Sequence, residues 1–391
     1  MSGFRLELKL FEARFRLRFS HASASRSKAA SAICIARGVD GAIGYGEGCP
    51  RDYVTGETMG TVVAAFERFK SKVEPTVRDL ATLRHWIDVN RTAIDANPAA
   101  FAAIEIALLD LFAKRAGQPM EAFLGLDPPP EVKVTAVFGI AGAVASGLLA
   151  AGYRAIGMTD AKVKLSPDPR ADHRRIGIIS RMLGSTARLR VDANNLFDNV
   201  LDCGRHLRAI DAPVWAIEEP LRPRDLDGQE RLAIETGVRI ILDESAVCPG
   251  DLDGCEGGHW VVNLRVSKHG GLLRSLEMAE AARSRGLEVI VGSHVGETSL
   301  LARSALTLAA FCGDRLLAAE CGYGSFLLQR DPADPGLRFG NKGRLELPRA
   351  GGDAGLGLTV DEAALMAPTD GQGHEIARER PKQAVKSSRP S

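Results

Sequence analysis

Long hydrophobic runs are missing from this 391-residue chain. No apolar stretch approaches the length of a membrane span, so no membrane partner is expected. The first ten residues, Met1-Ser-Gly-Phe-Arg-Leu-Glu-Leu-Lys-Leu10, alternate apolar and charged side chains as a strand does. They lack the apolar block of a signal peptide. Charge of one sign is missing as well: 50 basic against 49 acidic residues leave a net charge of +1, with no footprint for nucleic acid or an anionic surface. Cysteine is sparse and unpatterned. The seven residues are scattered singly, and Cys248 and Cys255 have no second pair with which to build a zinc site. A reduced, cytoplasmic setting is expected. What is present is an ordinary globular composition, 45% hydrophobic and 25% charged, in a chain long enough to call for two domains.

From Phe4 to Glu47 the pattern reads as strands, with turn chemistry in Gly38-Val-Asp-Gly41 and two polar loops at 21–28 and 49–58. Helical periodicity follows from Thr61 to about Leu124, densest in Ala99-Ala-Phe-Ala-Ala-Ile-Glu-Ile-Ala-Leu-Leu-Asp-Leu-Phe-Ala113. Asp127-Pro-Pro-Pro130 breaks the chain. Beyond it, apolar strands are predicted at 132–139, 161–165, 189–193, 214–219, 239–243, 260–266, 288–292 and 316–320, with helices between them. Eight parallel strands alternating with helices make an α/β fold of the (β/α)8 TIM-barrel type, here behind an N-terminal α+β capping domain. The expected division is 1–128 capping domain, 129–338 barrel, 339–366 return to the capping domain and 367–391 disordered tail.

Catalytic groups of such barrels sit at the C-terminal ends of different strands. Here those ends carry Lys162 and Lys164, then Asp192, Glu218 and Asp243, then Lys268. Neighbouring strands are about 4.8 Å apart, so three inward carboxylates can converge on one hard cation. Glu219 and Glu244 each directly follow a proposed ligand, and period-2 alternation turns them away from the ion. Glu244 and Asn194 are candidates for supporting positions behind the ligands. Lys162 and Lys164 share one strand face; each raises the cost of protonating the other, so Lys164 is expected to serve as a base. Lys268 lies across the ring from it. His294, after the seventh strand, is a candidate substrate contact, because the place of a carboxylate that would fix its tautomer is taken by Arg265.

Lys162-Val-Lys164, Val191-Asp-Ala-Asn194, Glu218-Glu-Pro220, Asp243-Glu-Ser245 and Lys268-His-Gly-Gly271 together resemble the enolase superfamily. Within it they resemble the muconate lactonizing enzyme subgroup. The helix 103–111 and the late Gly355-Leu-Gly-Leu-Thr-Val-Asp361 extend the resemblance over nearly the whole chain. It implies Mg2+, or Mn2+ in its place, on Asp192, Glu218 and Asp243. It further implies an acid/base pair of Lys164 and Lys268 around a metal-stabilised enolate. The implied activity is racemisation or epimerisation next to a carboxylate, on a small amino-acid-derived substrate. The alternatives are muconate-like cycloisomerisation or syn-dehydration at the same site. A homo-oligomer is also expected. Dipeptide epimerases of the subgroup carry Asp-x-Asp on the eighth strand, where this chain has Glu320-Cys-Gly-Tyr-Gly324. That departure leaves the substrate open, with Arg26, Arg51, Tyr53, Thr55, His294 and Glu320 as candidate contacts. A Schiff-base aldolase on a barrel lysine and a non-catalytic ligand binder are the readings from other classes.

Overall fold

The computed structural model describes residues 3–21, 24–128, 131–345 and 354–366. Three antiparallel strands come first, Phe4–His21, Ala24–Gly38 and Ile43–Gly48, paired in that order. Of the segment 21–28, expected as a polar loop, the described residues His21 and 24–28 lie in the first two strands: Phe19 pairs with Arg26, Ser20 with Ser25 and His21 with Ala24. A ladder is made by backbone groups, so a polar stretch can carry it.

The helix Pro98–Arg115 packs on the third strand. Proline at its start, a run of alanines and leucines, and Lys114 and Arg115 in its last turn all favour helix there. Its contact with the strand is backbone to backbone. A Cβ on Gly44 would lie 2.1 Å from the carbonyl oxygen of Ala107, one on Gly46 2.3 Å from that of Ala103, and one on Gly48 1.8 Å from that of Ala99. Glycines at i, i+2 and i+4 on the strand thus meet alanines at i, i+4 and i+8 on the helix.

The barrel strands are Ala136–Phe138, Asp160–Lys164, Arg188–Asp192, Val214–Glu218, Arg239–Leu242, Trp260–Leu264, Glu288–Val291 and Leu316–Ala319, bonded in chain order. The ring closes where Val134 bridges Ala319 and the Thr135 N–H donates to the Ala319 carbonyl at 2.7 Å. The strand expected at 132–139 is therefore divided. Val132–Lys133 pairs with Arg344–Leu345, and only Ala136–Phe138 joins the barrel. Inside, Ala216, Ile241, Val261, Ile290 and Ala318, one from each of the fourth to eighth strands, form a separate apolar floor. They share strand parity with Glu218, Asp243, Asn263, Gly292 and Glu320 above them.

Buried carboxylates join the two halves. Glu105, on the helix Pro98–Arg115, accepts the Leu272 and Leu273 N–H groups at 2.9 and 2.7 Å, at the start of the helix Leu272–Ser284. Glu47 accepts the Thr298 and Leu301 N–H groups at 3.0 and 3.2 Å, at the start of the helix Ser299–Cys312. These helices directly follow the loops that bear Lys268 and His294. Late in the chain, Glu362 bonds Arg37 at 2.6 Å and the Tyr45 hydroxyl at 2.8 Å. The tail 367–391 lies outside the described residues.

Candidate active site

Register places the key groups in one row. Lys164 pairs with Asp192 and Asp192 with Glu218 on consecutive strands, and Asp243 follows the end of the next. All three acids are buried. Lys162 Nζ lies 3.6 Å from Asp192, 3.3 Å from Glu218 and 2.8 Å from Glu320. Arg265 bridges the other side, 3.3 Å from Glu218 and in contact with Asp243. Burial would raise Asp192, but Lys164 and Lys162 hold it down at about 2. Burial also dominates at Glu218, pushed up to about 7 because Asp192, Glu320 and Asp243 offset the pull of Lys162. Lys162 loses charge stability by burial and regains more from Glu218, Glu320 and Asp192, so it stays an ammonium.

The two other lysines are held differently. Lys164 Nζ donates to Asp192 at 3.2 Å and to Asn194 Oδ1 at 2.5 Å, and it lines a pocket with Lys162, Asp192, Asn194, Glu244, Arg265, Tyr53 and Glu320. Asn194 also donates its backbone N–H to Asp192 Oδ1 at 3.1 Å, so it orients acid and lysine together. Lys268 is outside that lining. Its ammonium donates to the Asp243 carbonyl at 2.8 Å, Asp243 Oδ1 at 3.0 Å and the Asn263 carbonyl at 2.8 Å. Glu219 turns away, accepting the N–H groups of Asp243 and Ser245 at 2.6 and 2.7 Å, and so shapes the loop that presents Asp243.

The peripheral candidates separate. Tyr53 and Glu320 reach the lysine pocket. Thr55 does not: its hydroxyl accepts the Arg51 N–H and donates to the Arg51 carbonyl, both at 3.2 Å, within its own loop. Arg51 is a strut, bonded to the Ala30, Pro50 and Val295 carbonyls. His294 lines an adjoining chamber. The Arg26 side chain lies outside the described residues. Arg190 was not signalled by sequence. Fully buried, it contacts Asp160 and donates to Glu320 at 2.6 Å and to Thr135 Oγ1 at 3.2 Å. Its place two residues before Asp192, on the same inward face, is the one signal that could have found it.

The residues present fit a hard divalent cation. Asp192, Glu218 and Asp243 offer oxygen donors only. Glu244 Oε2 is buried with no hydrogen-bond partner, and burial together with Asp243 and Glu219 pushes that carboxyl well above its ordinary range. The cluster carries more carboxylate than its cations satisfy. Among the described residues, the three ligand atoms that lie within 4.8 Å of one another are instead those of Cys49, His294 and Glu297. That trio suits a hard ion poorly. Burial pushes the Cys49 thiol up to about 12 and Glu297 up to about 8, and holds His294 neutral. The strand-end acids stand wider because Lys162 and Arg265 reach between them.

A closed parallel barrel with carboxylates and lysines at its rim defines a barrel enzyme built for proton transfer beside a bound anion. The Enolase C-terminal domain-like family matches residues 145–364. The chain belongs to this family, and with it to the enolase superfamily, in the muconate lactonizing enzyme subgroup of isomerases. It is similar to the hydrophobic dipeptide epimerase of Enterococcus faecalis, 28% identical over 87% of this chain and 95% of that one. It is also similar to the L-Lys-D/L-Arg epimerase of Methylococcus capsulatus, 30% identical over 83% of this chain and 90% of that one. The N-succinyl-L-Arg/Lys racemase of Bacillus cereus is 27% identical over 84% and 88%. Among solved structures, the E. faecalis dipeptide epimerase complexed with Mg and L-Leu-L-Tyr superposes with a TM-score of 0.81 at 27% identity, covering 92% of this chain and all of that one.

Proposed function

We propose that this protein is a Mg2+-dependent racemase or epimerase acting at the carbon next to the carboxylate of an amino-acid-derived substrate. Asp192, Glu218 and Asp243 hold the ion, and Lys164 and Lys268 move the proton. The observation that carries this reading is the placement of the two lysines at opposite ends of the acid row: Lys164 on Asp192, Lys268 on Asp243. Bound among these oxygens, Mg2+ supplies positive charge beside the substrate carboxylate as that carboxylate gains charge. Lys164, at the pocket wall, takes the proton from one face, with Asn194 fixing its direction. Lys268 serves the other face once it releases Asp243 Oδ1, while its two carbonyl partners keep it in place. Lys162, locked among acids, stays charged and positions rather than shuttles. The test is α-deuterium incorporation into N-acyl amino acids and dipeptides in D2O, followed by NMR. Conversion of a diene diacid or a β-hydroxy acid with no α-exchange would instead establish the cycloisomerase or dehydratase alternative.

The division into capping domain, barrel and returning segment at 128, 338 and 366 is part of this reading, supported by the bonds of Glu362 to Arg37 and Tyr45. A homo-oligomer is supported by Val144, Leu148 and Leu149, exposed on the helix Ala143–Ala155. A reducing cytoplasm is supported by seven free thiols, six of them buried. Among the described residues no helix is long and apolar enough to cross a membrane.

A further inference from the structure

Outside the acid row, a second buried ionic group is built on Asp172 and Arg175, from the helix Pro169–Leu183 that follows the Lys164 strand. Asp172 accepts the Ser166 N–H at 2.7 Å and the Ser166 hydroxyl at 3.0 Å, and lies 3.0 Å from His206 Nε2. Burial would raise that carboxyl, but His206, Ser166 and Arg175 hold it below its ordinary range. It stays an anion, and it anchors the Arg175 guanidinium at 2.6 Å.

The rest of that guanidinium faces backbone. One arm donates to the Gly139 carbonyl at 2.7 Å, the other to the carbonyl of Lys164 itself. Pairing between the first and second barrel strands runs from Ala136 with Ala161 to Phe138 with Val163. Gly139 and Lys164 are the next residues on each, so the planar fork carries the link one residue past the ladder. On its other side Lys164 is held by its register with Asp192 and by the Leu165 N–H, which donates to the Asp192 carbonyl at 2.8 Å. Replacing a buried ion pair by apolar residues of similar volume often costs nothing. What the guanidinium adds here is direction, given to two carbonyls at once. Lys268 has no hold of this kind: its ammonium rests on the Asp243 and Asn263 carbonyls.

We infer that Arg175 is a positioning residue for Lys164 and not for Lys268. It fixes the backbone from which the Lys164 ammonium reaches the α-carbon, and so governs proton transfer at one face of the substrate. Asp192 and Asn194 direct Nζ; Arg175 sets where the side chain starts. This inference rests on the two-lysine reading above.

The test places Arg175→Lys in two backgrounds: Lys268→Ala, where exchange reports on Lys164, and Lys164→Ala, where it reports on Lys268. α-Proton exchange in D2O is followed with the N-acyl amino acid or dipeptide that the wild type exchanges fastest. Lysine keeps a positive charge beside Asp172, so circular dichroism should stay unchanged, while a single ammonium cannot span both carbonyls. Exchange should fall about tenfold in the first background and less than about twofold in the second; a 1 Å misplacement of a reacting group can cost about a hundredfold. Arg175→Gln, uncharged but still a donor, makes the same comparison by a second route. A merely structural role would lower both backgrounds alike. Equal losses in the two, or no loss in the first, overturn the inference and leave the racemase reading standing. If the parent variants do not each keep exchange of one enantiomer, the two-lysine reading falls, and this inference with it.

Discussion

Replacing Arg190 by methionine should destabilise the barrel more than any surface change, and the structure sets the size of the effect. The side chain is wholly buried and engages Asp160, Glu320 and Thr135. Methionine keeps most of the volume and removes the charge. Glu320 then depends on Lys162 alone, and Asp160 on the Thr135 hydroxyl at 2.6 Å and the distant Arg188 at 3.8 Å. Breaking a buried pair by removing one partner costs about 3–5 kcal/mol. Two charge-assisted bonds at about 1.5–3 kcal/mol each give about 3–6 kcal/mol, an overlapping range. Urea unfolding should show a lower midpoint with an unchanged slope. Adding Glu320→Gln to Arg190→Met should return part of the loss, because it removes the uncompensated carboxylate. A loss under about 1 kcal/mol, or a double variant worse than the sum of the singles, would mean that Arg190 is not the counter-charge of this interior.

Glu105 makes stability depend on pH in an unusual direction. Burial raises its pKa from 4.5 to about 7, so between those values the folded protein holds a proton that the unfolded chain has released. Stability should fall as pH rises through that window, by on the order of 3 kcal/mol, and Glu105→Gln should flatten this part of the profile in urea titrations. Chelation should abolish turnover and Mg2+ should restore it; Asp243→Asn should lose metal binding by calorimetry while circular dichroism stays unchanged. Full turnover after exhaustive chelation would remove the ion from the account. Asn194→Ala should lower kcat more than KM, by about ten- to a hundredfold, since it removes one of the two bonds that direct Lys164 Nζ while the proposed ligands stay in place.

Much of this was legible in the chain. The second, third and fourth barrel strands end in candidate site residues, so Lys164, Asp192 and Glu218 could be placed on strand ends, and Asp243 beside one, from the sequence. The interior ions were harder. Arg190 and Asp160 share inward parity with Asp192 and Lys162 on their own strands, but which ions they pair with depends on the register of neighbouring strands. The bonding partners of Arg265 and Lys268 were hidden for the same reason: what an ammonium or guanidinium bonds to depends on non-local groups such as Asp243 and Asn263. The divided first barrel strand and the pairing of 24–28 with the first strand reflect pairing choices made by the partner strand. Thr55 turns its hydroxyl back on the Arg51 backbone, a local choice that composition does not reveal.

The measurement closest to the central claim follows α-proton exchange of each enantiomer separately, in D2O, with the two lysine variants. Lys268→Ala should block racemisation in both directions yet leave Lys164 exchanging the α-proton of one enantiomer. Lys164→Ala should give the mirror-image pattern. If either variant exchanges both enantiomers at wild-type rates, the two lysines do not address opposite faces of one carbon.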